Sequence, residues 1–513
     1  MTLGRAFSVA LVGLNGYLVE VEADIGQTLP QFVVLGLPDA SLNEARERIR
    51  SAAHNSGIPL SRRKITVNLI PASLPKRGSG FDLAITMAAL RAAGDIRAID
   101  GTVFIAELGL DGRLRPVRGI LPAVMAAVKA GHPNVVVADA NADEAALVPG
   151  ANVLSYPTLA RLALDMGADP KDLLLDLPPE SDAEEEVLSD GSMVVPDMSD
   201  VAGQFEARQA LEIAAAGAHH LLMMGPPGAG KTMLAERLPG ILPDLHDDAA
   251  MEVTAIHSLA AVPSRTNALI RRPPFENPHH TATSAAIIGG GSGLPRPGAA
   301  SRAHRGVLFL DEAPEYDRKV LDALRQPLES GELVIHRAAG AAAYPARFQL
   351  LLAANPCPCG KASGKGLECN CTPLARRRYF GRMSGPLLDR VDIQLPVERL
   401  SLADFGQAGT SECSAVVAAR VQQARDRQHE RLAPYGYETN AQVPGSLLRG
   451  VFKLPGDATR ILDAALERGI LSARGYDRVL RIAWSIADLD QRATPTPNDV
   501  GQALSLRQAE SAA

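Results

Sequence analysis

Residues 225–232 read Gly225, Pro226, Pro227, Gly228, Ala229, Gly230, Lys231 and Thr232, which satisfies the phosphate-loop pattern G-x-x-x-x-G-K-[ST] at every fixed position. Glycines let the backbone curl until successive N–H groups aim at one anion, and the following helix adds its positive end. Lys231 is then placed to reach the β- and γ-phosphates of ATP, and Thr232 to ligate Mg²⁺. The flanks agree, because residues 219–224 read as a buried strand and residues 233–238 as a helix. Farther on, the apolar run at 307–310 ends in Asp311 and Glu312. That is a strand delivering two carboxylates at its C-terminal edge, where open α/β sheets bind ligands. Asp311 is expected to hold Mg²⁺ through water, and Glu312 to polarise an attacking water. Together these elements predict a chain that binds and hydrolyses ATP.

A chain of 513 residues exceeds one ordinary core, so two or three domains are expected. No segment approaches about 18 uninterrupted apolar residues, which predicts no membrane span. The amino end lacks a secretory pattern, and a cytoplasmic location is expected. Net charge is −6, but residues 169–190 hold nine Asp/Glu against Lys171, leaving about +2 for the rest. Any nucleic-acid contact must therefore rest on local basic loops. The acidic stretch has too little apolar material to fold alone and reads as a linker. The expected division is a front unit over 1–168, a linker over 169–199, an ATPase core over 200–395 and a helical unit over 396–513.

The front unit has a mixed α/β pattern. A hairpin is expected over 7–12 and 17–22, with strands at 65–69, 103–108 and 135–137 and helices at 42–53, 82–92 and 120–130. In the last unit Val479, Ile482, Ala483, Ile486 and Leu489 recur at helical spacing, and Thr496 with Pro497 opens a final helix. Residues 331–348 alternate about a small-residue tip at 338–343. By its pattern alone this is a hairpin of the ordinary surface kind.

Several residues have two readings. Asn355 ends the apolar run 350–354, as a simple turn former or as the group that orients water beside the γ-phosphate. Arg390 is either a salt-bridged helix-end residue or, in a ring, an arginine finger for the neighbouring subunit. Arg474 and Arg478 lie one helical turn apart, as a solvated face or as phosphate ligands if that helix packs over the nucleotide. Cys357, Cys359, Cys369 and Cys371 form C-x-C-x₉-C-x-C. Four thiolates can hold Zn²⁺ and clip an insertion over 357–371 that has no core of its own, the other reading being free thiols.

The chain resembles AAA+ ATPases of the magnesium-chelatase-like group, specifically the ComM/YifB family. The resemblance runs through residues 200–204, the phosphate loop, Asn277 to Thr281, Pro295 to Gly298, Ala303 to Glu312, Asn355 to Gly360, and Ser472 to Arg474. It implies that Asn355 is sensor 1, Arg390 the arginine finger and Arg474 sensor 2, and it places the hairpin over 331–348 before sensor 1 as a DNA lever carrying Arg337, the alternative being a plain surface hairpin. It also implies a homohexameric ring and, for this family, an ATP-driven branch-migration helicase acting on DNA recombination or transformation intermediates. The rival reading is a protein-remodelling ATPase of magnesium-chelatase type. One departure is Glu276, where the family commonly has a basic residue.

Residues 75–87 resemble the active-site stretch of Lon-type proteases, and residues 109–119 the segment before their catalytic lysine. Asp82 then stands in the position of the nucleophilic serine and Leu121 in that of the lysine. A carboxylate supplies no activated hydroxyl, so a non-proteolytic Lon-like (S5-like) α/β domain is expected, with Ser79 the only nearby substitute. Arg62, Arg63, Lys64, Lys76, Arg77, Arg113, Arg115 and Arg118 are its candidate phosphate contacts. The expected fold is thus a Lon-protease-like α/β domain, a phosphate-loop α/β core and a C-terminal helical lid.

Overall fold

The structure, a computed structural model, describes residues 3–26, 29, 31–36, 39–60, 64–72, 74, 79–97, 100–175, 196–260, 268–291, 295–337, 340–362, 369–399 and 411–507. Arg62, Arg63, Lys76, Arg77 and linker residues 176–195 lie outside them.

The front of the chain builds a seven-stranded mixed sheet. Its elements are β1 (Gly4–Val12), β2 (Asn15–Gly26), β3 (Phe32–Leu35), α1 (Asp39–Asn55), β4 (Lys64–Ile70), α2 (Asp82–Ala93), β5 (Val103–Ile105), α3 (Ile120–Lys129), β6 (Asn134–Ala138) and β7 (Asn152–Tyr156). The strand order is β3-β4-β2-β1-β5-β6-β7. Pleating sends alternate β1 side chains to opposite faces. Ala6 and Ala10 join the core under α1 and α2, whereas Val9 joins the core under α3. The strand expected over 103–108 stops at Ile105. Glu107 and Leu108 instead pair with Arg115 and Leu114, because the turn at Gly109 folds the chain back, its N–H bonded to Arg113 O at 2.9 Å.

The second half opens with α4 (Phe205–Gly217), β8 (Leu221–Met224), α5 (Lys231–Arg237) and α6 (Asp247–Ala260). The strands β9 (Phe275–Glu276), β10 (Val307–Leu310), β11 (Glu332–Arg337), β12 (Gly340–Pro345), β13 (Gln349–Ala354) and β14 (Ile393–Pro396) follow. A fully parallel sheet runs β9-β10-β13-β8-β14. Both of its faces are covered, which is why its strands are almost continuously apolar. Leu221, Met223, Phe309, Leu351 and Ile393 face one core, and Leu222, Leu308, Leu310, Leu350 and Leu352 the other. The chain ends in α7 (Ser414–Leu432), α8 (Gly456–Glu467), α9 (Ala473–Leu489) and α10 (Pro497–Ser505). These helices share the first core, since Val417, Leu462, Val479 and Val500 sit in it with Phe309 and Leu351. The helical region thus packs directly on a sheet face.

The β11–β12 hairpin differs from the expected shape. Register runs to Arg337 opposite Gly340, so Ala341, Ala342 and Ala343, expected in the tip, are strand residues. Leu333 opposite Tyr344, both buried, pins that register. The hairpin is also covered: Ile335, Ala342 and Tyr344 form a small core with Leu14 of the β1–β2 turn and Leu259 of α6. Beside it, Gly119 N–H bonds Ser258 O at 3.2 Å, joining the start of α3 to α6. Among the described residues no helix is long and apolar enough to cross a membrane.

Candidate functional site

Strand β8 lies between β13 and β14, so the chain leaves it in one direction and returns on its other side. Such a reversal opens a crevice at the C-terminal ends of the strands. The phosphate loop fills this position. Gly228 and Gly230 take φ of 77° and 89°, and α5 begins at Lys231. Lys231 Nζ donates to Gly225 O at 2.7 Å, Pro226 O at 3.1 Å and Asn355 Oδ1 at 3.1 Å. Burial lowers its pKa, opposed by the charges of Asp311 and Glu312. Thr232 Oγ1 donates to Asp311 Oδ2 at 2.6 Å. The other oxygen of Asp311 accepts the Glu312 N–H at 2.8 Å. The sheet therefore brings Lys231, Thr232, Asp311, Glu312 and Asn355 together from three adjacent strand ends.

Glu312 has φ of 51°, a left-handed conformation that costs a non-glycine residue energy and that clusters at functional sites. The turn aims its side chain at His280, with Nδ1 3.3 Å from Glu312 Oε2. The rings of His280 and His279 lie 4.2 Å apart between centroids, tilted by 32°. Tyr316, whose hydroxyl donates to Pro278 O, fixes the same loop, and burial pushes its pKa far up. Sequence reasoning gave His280 no role. Its signal was available, since the motif at 277–281 follows β9, the strand beside β10. Glu276 itself accepts a bidentate pair from Arg302 at 3.0 and 2.8 Å, which neutralises it within the fold.

Arg390 lies at the opposite edge of the sheet. It precedes β14, and Asp392 N–H bonds His220 O at the entry to β8, whereas the phosphate loop leaves the far end of β8. Arg390 pairs with Glu329 and donates to Pro386 O, which is the salt-bridged arrangement expected as one of its two readings, with a partner the sequence did not identify. Burial lowers its pKa, as do the nearby charges of Arg325, Arg474 and Arg478. Arg478 donates to Arg390 O at 2.9 Å and Asp392 Oδ1 at 2.5 Å. Burial alone raises Asp392, but His219 and Arg478 outweigh it and hold the carboxyl well below its usual range. The start of α9, with Arg474 and Arg478, thus packs beside Arg390 and not over Lys231. This is one cationic edge, a sheet's length from the phosphate loop.

The four cysteines converge. Their sulfurs lie within 4.8 Å of one another, with Cys357 Sγ 3.3 Å from Cys359 Sγ and 3.6 Å from Cys369 Sγ. Four thiolates around Zn²⁺ at about 2.3 Å each lie just under 4 Å apart, so the cluster fits that ion closely. The thiols share protons unevenly: the backbone N–H of Lys361 and the Cys357 thiol bring Cys359 down to about 6, whereas, against the Cys359 backbone, side-chain bonds to Cys359, Cys369 and Cys357 push Cys371 up to about 11. Cys413 stands apart, before α7.

In the front unit Asp82 is buried, and Arg48 donates to it at 2.8 Å. Burial raises its pKa to about 6 even against that guanidinium. Ser79 Oγ donates to Glu107. Leu121 is fully buried in the α3 core. No lysine stands in that position, and the serine hydroxyl faces a carboxylate.

The family described as magnesium chelatase, subunit ChlI, matches residues 197–405. Families described as subunit ChlI of Mg-chelatase and as its C-terminal part match 21–141 and 411–507. An uncharacterized protein of Mycobacterium tuberculosis is 50% identical over 514 residues, spanning 99% of both chains. The uncharacterized protein YifB of Escherichia coli is 40% identical over 99% of this chain and 97% of its own. The competence protein ComM of Haemophilus influenzae is 40% identical over 99% of this chain and 98% of its own. This chain belongs to the ComM/YifB family of magnesium-chelatase-like AAA+ ATPases.

Proposed function

We propose that this chain is an ATP-driven DNA motor that works as a homohexameric ring and moves branched DNA in recombination or transformation. The observation carrying this reading is the split between Lys231 and Arg390, at opposite edges of one parallel sheet. Arg390 cannot reach the γ-phosphate held by its own chain. In a head-to-tail ring, one copy's cationic edge meets the next copy's phosphate loop. Lys231 and the loop amides bind ATP, and Thr232 and Asp311 hold Mg²⁺. Glu312 polarises water that Asn355 orients, and Arg390 with Arg474 of the neighbour stabilises the transferring charge. DNA as the partner is supported by full-length similarity to a protein named for competence.

The front unit, in this reading a Lon-like domain without proteolysis, is a scaffold or DNA-contacting collar over about 1–168. Residues 200–395 are the motor core and 396–513 its helical lid, packed on the sheet face. The protein-remodelling reading draws on the magnesium chelatase family matches. ATPase assays with forked and four-way DNA decide between them. Strong stimulation by branched DNA is expected; a rate indifferent to every DNA would overturn the DNA motor. Casein cleavage would revive the protease.

A further inference from the structure

We propose that the four cysteines form a structural zinc site whose task is to hold the phosphate loop and Asn355 in their nucleotide-binding arrangement. The inference rests on the ATPase reading of that loop. Only Pro356 separates Asn355, which accepts from Lys231, from fully buried Cys357. After Cys357 the chain makes a tight turn, with Gly360 N–H bonding Cys357 O at 2.9 Å. Gly360 has φ of 73°, and a Cβ there would lie 2.7 Å from two ring carbons of Pro227. The turn therefore presses on the phosphate loop itself.

The far side of the cluster returns to the same place. Cys371 is followed by Thr372, whose hydroxyl caps the helix Pro373–Phe380 by accepting the Ala375 N–H. Arg376 of that helix donates to Cys369 Sγ at 3.3 Å. Three residues on, buried Tyr379 is hydrogen-bonded to the Asn355 backbone. The segment leaving Asn355 thus comes back to it, and the sulfur cluster is its closure. Without a metal, this closure depends on thiols that gain little from meeting. With four thiolates on Zn²⁺, the ends are fixed. Tetrahedral sulfur selects zinc or iron, and the zinc form has no redox state to disturb the loop.

Losing the ion should let the turn move off Pro227 and lower the fraction of molecules whose loop is competent. Apparent nucleotide affinity falls in proportion, about tenfold if one molecule in ten keeps the arrangement. The test measures metal content and equilibrium binding of a fluorescent ATP analogue on the full chain. Protein purified without chelators should carry about one zinc per chain. Stripping it with a thiol reagent and chelator should weaken binding, and reducing the thiols and returning Zn²⁺ should restore it. Gly360→Val separates the two claims: it should retain zinc yet bind the analogue more weakly, because its side chain meets Pro227. Circular dichroism checks that each form stays folded. Substoichiometric zinc, or iron in its place, would overturn the site. Stoichiometric zinc with unchanged affinity after stripping would overturn the coupling. Zinc-loaded protein that binds no nucleotide would overturn the ATPase reading and the coupling with it, while the metal count still decides the site.

Discussion

Thr232 and Asp311 are joined across the parallel sheet, hydroxyl to carboxylate, at 2.6 Å. One stands at the start of the helix after β8, the other at the end of β10, with β13 between those strands. Only the sheet order brings them together. Both offer oxygens of the kind Mg²⁺ prefers, and the proposed function assigns the ion to this pair.

Loss of either oxygen should show first as a demand for more Mg²⁺. Thr232→Ala and Asp311→Asn are expected to shift the Mg²⁺ concentration for half-maximal ATPase upward. Titration of the rate with Mg²⁺ at fixed ATP checks it. A rate lowered equally at every Mg²⁺ concentration would contradict a ligand role.

Lys231 and Glu312 are expected to separate binding from turnover. Lys231→Ala removes the cation of the cradle and should lose nucleotide affinity. Glu312→Gln keeps the shape and should bind ATP while hydrolysing it poorly, by about 10²-fold or more. Equilibrium binding and steady-state hydrolysis on the same samples give both quantities. Near-normal turnover by Glu312→Gln would remove the water-polarising assignment and shift attention to His280.

Motifs with short-range geometry were legible in the sequence. Eight consecutive residues define the phosphate loop, and a four-residue apolar run ending in Asp311 and Glu312 needs only its own pleat to present them. The cysteine pattern likewise predicted a convergence that the sulfurs show. What stayed hidden depends on contacts between distant elements. The partnership of Arg390 with Glu329 joins residues some 60 positions apart through tertiary packing alone. The placement of Arg474 beside Arg390 follows from how α9 lies on the sheet, which helical periodicity cannot report. For the hairpin at 332–345, the two readings were a DNA lever and a surface feature, and its alanine-rich strand carries too little pattern to show that Leu14 and Leu259 pack against it.

Asp82 provides a pH test of the front unit. Unfolded, its carboxyl titrates near 3.8, and folded near 6, because burial outweighs Arg48. Between those values the native state holds the extra proton, so stability falls as pH rises and levels off above about 6. The slope contributed by this group is at most about 1.4 kcal/mol per pH unit. Denaturant midpoints of the full chain at pH 4.5 and 6.5 should therefore fall more for the parent than for Asp82→Asn. Parallel shifts, or a parent that gains on the variant as pH rises, would show that the Arg48 pair dominates.

The last prediction concerns the shared site. Arg390 has a partner in its own chain, so a loss of activity on its removal has two possible causes, a broken ion pair or a missing charge at the neighbour's phosphate. Glu329→Gln breaks the pair and leaves the guanidinium, and it should hydrolyse ATP near the parent rate. Arg390→Ala should still bind ATP yet hydrolyse it about 10³-fold more slowly, since γ-phosphate charge loses its stabilisation. Mixing Arg390→Ala with Lys231→Ala should restore part of the activity. In such rings some interfaces pair an intact phosphate loop with an intact arginine. ATPase rate against mixing ratio measures the recovery, once exchange of the two variants into mixed rings has been verified. Equal losses for Glu329→Gln and Arg390→Ala would reduce Arg390 to a structural ion pair. No recovery in verified mixed rings would mean that the two residues do not serve one site across an interface.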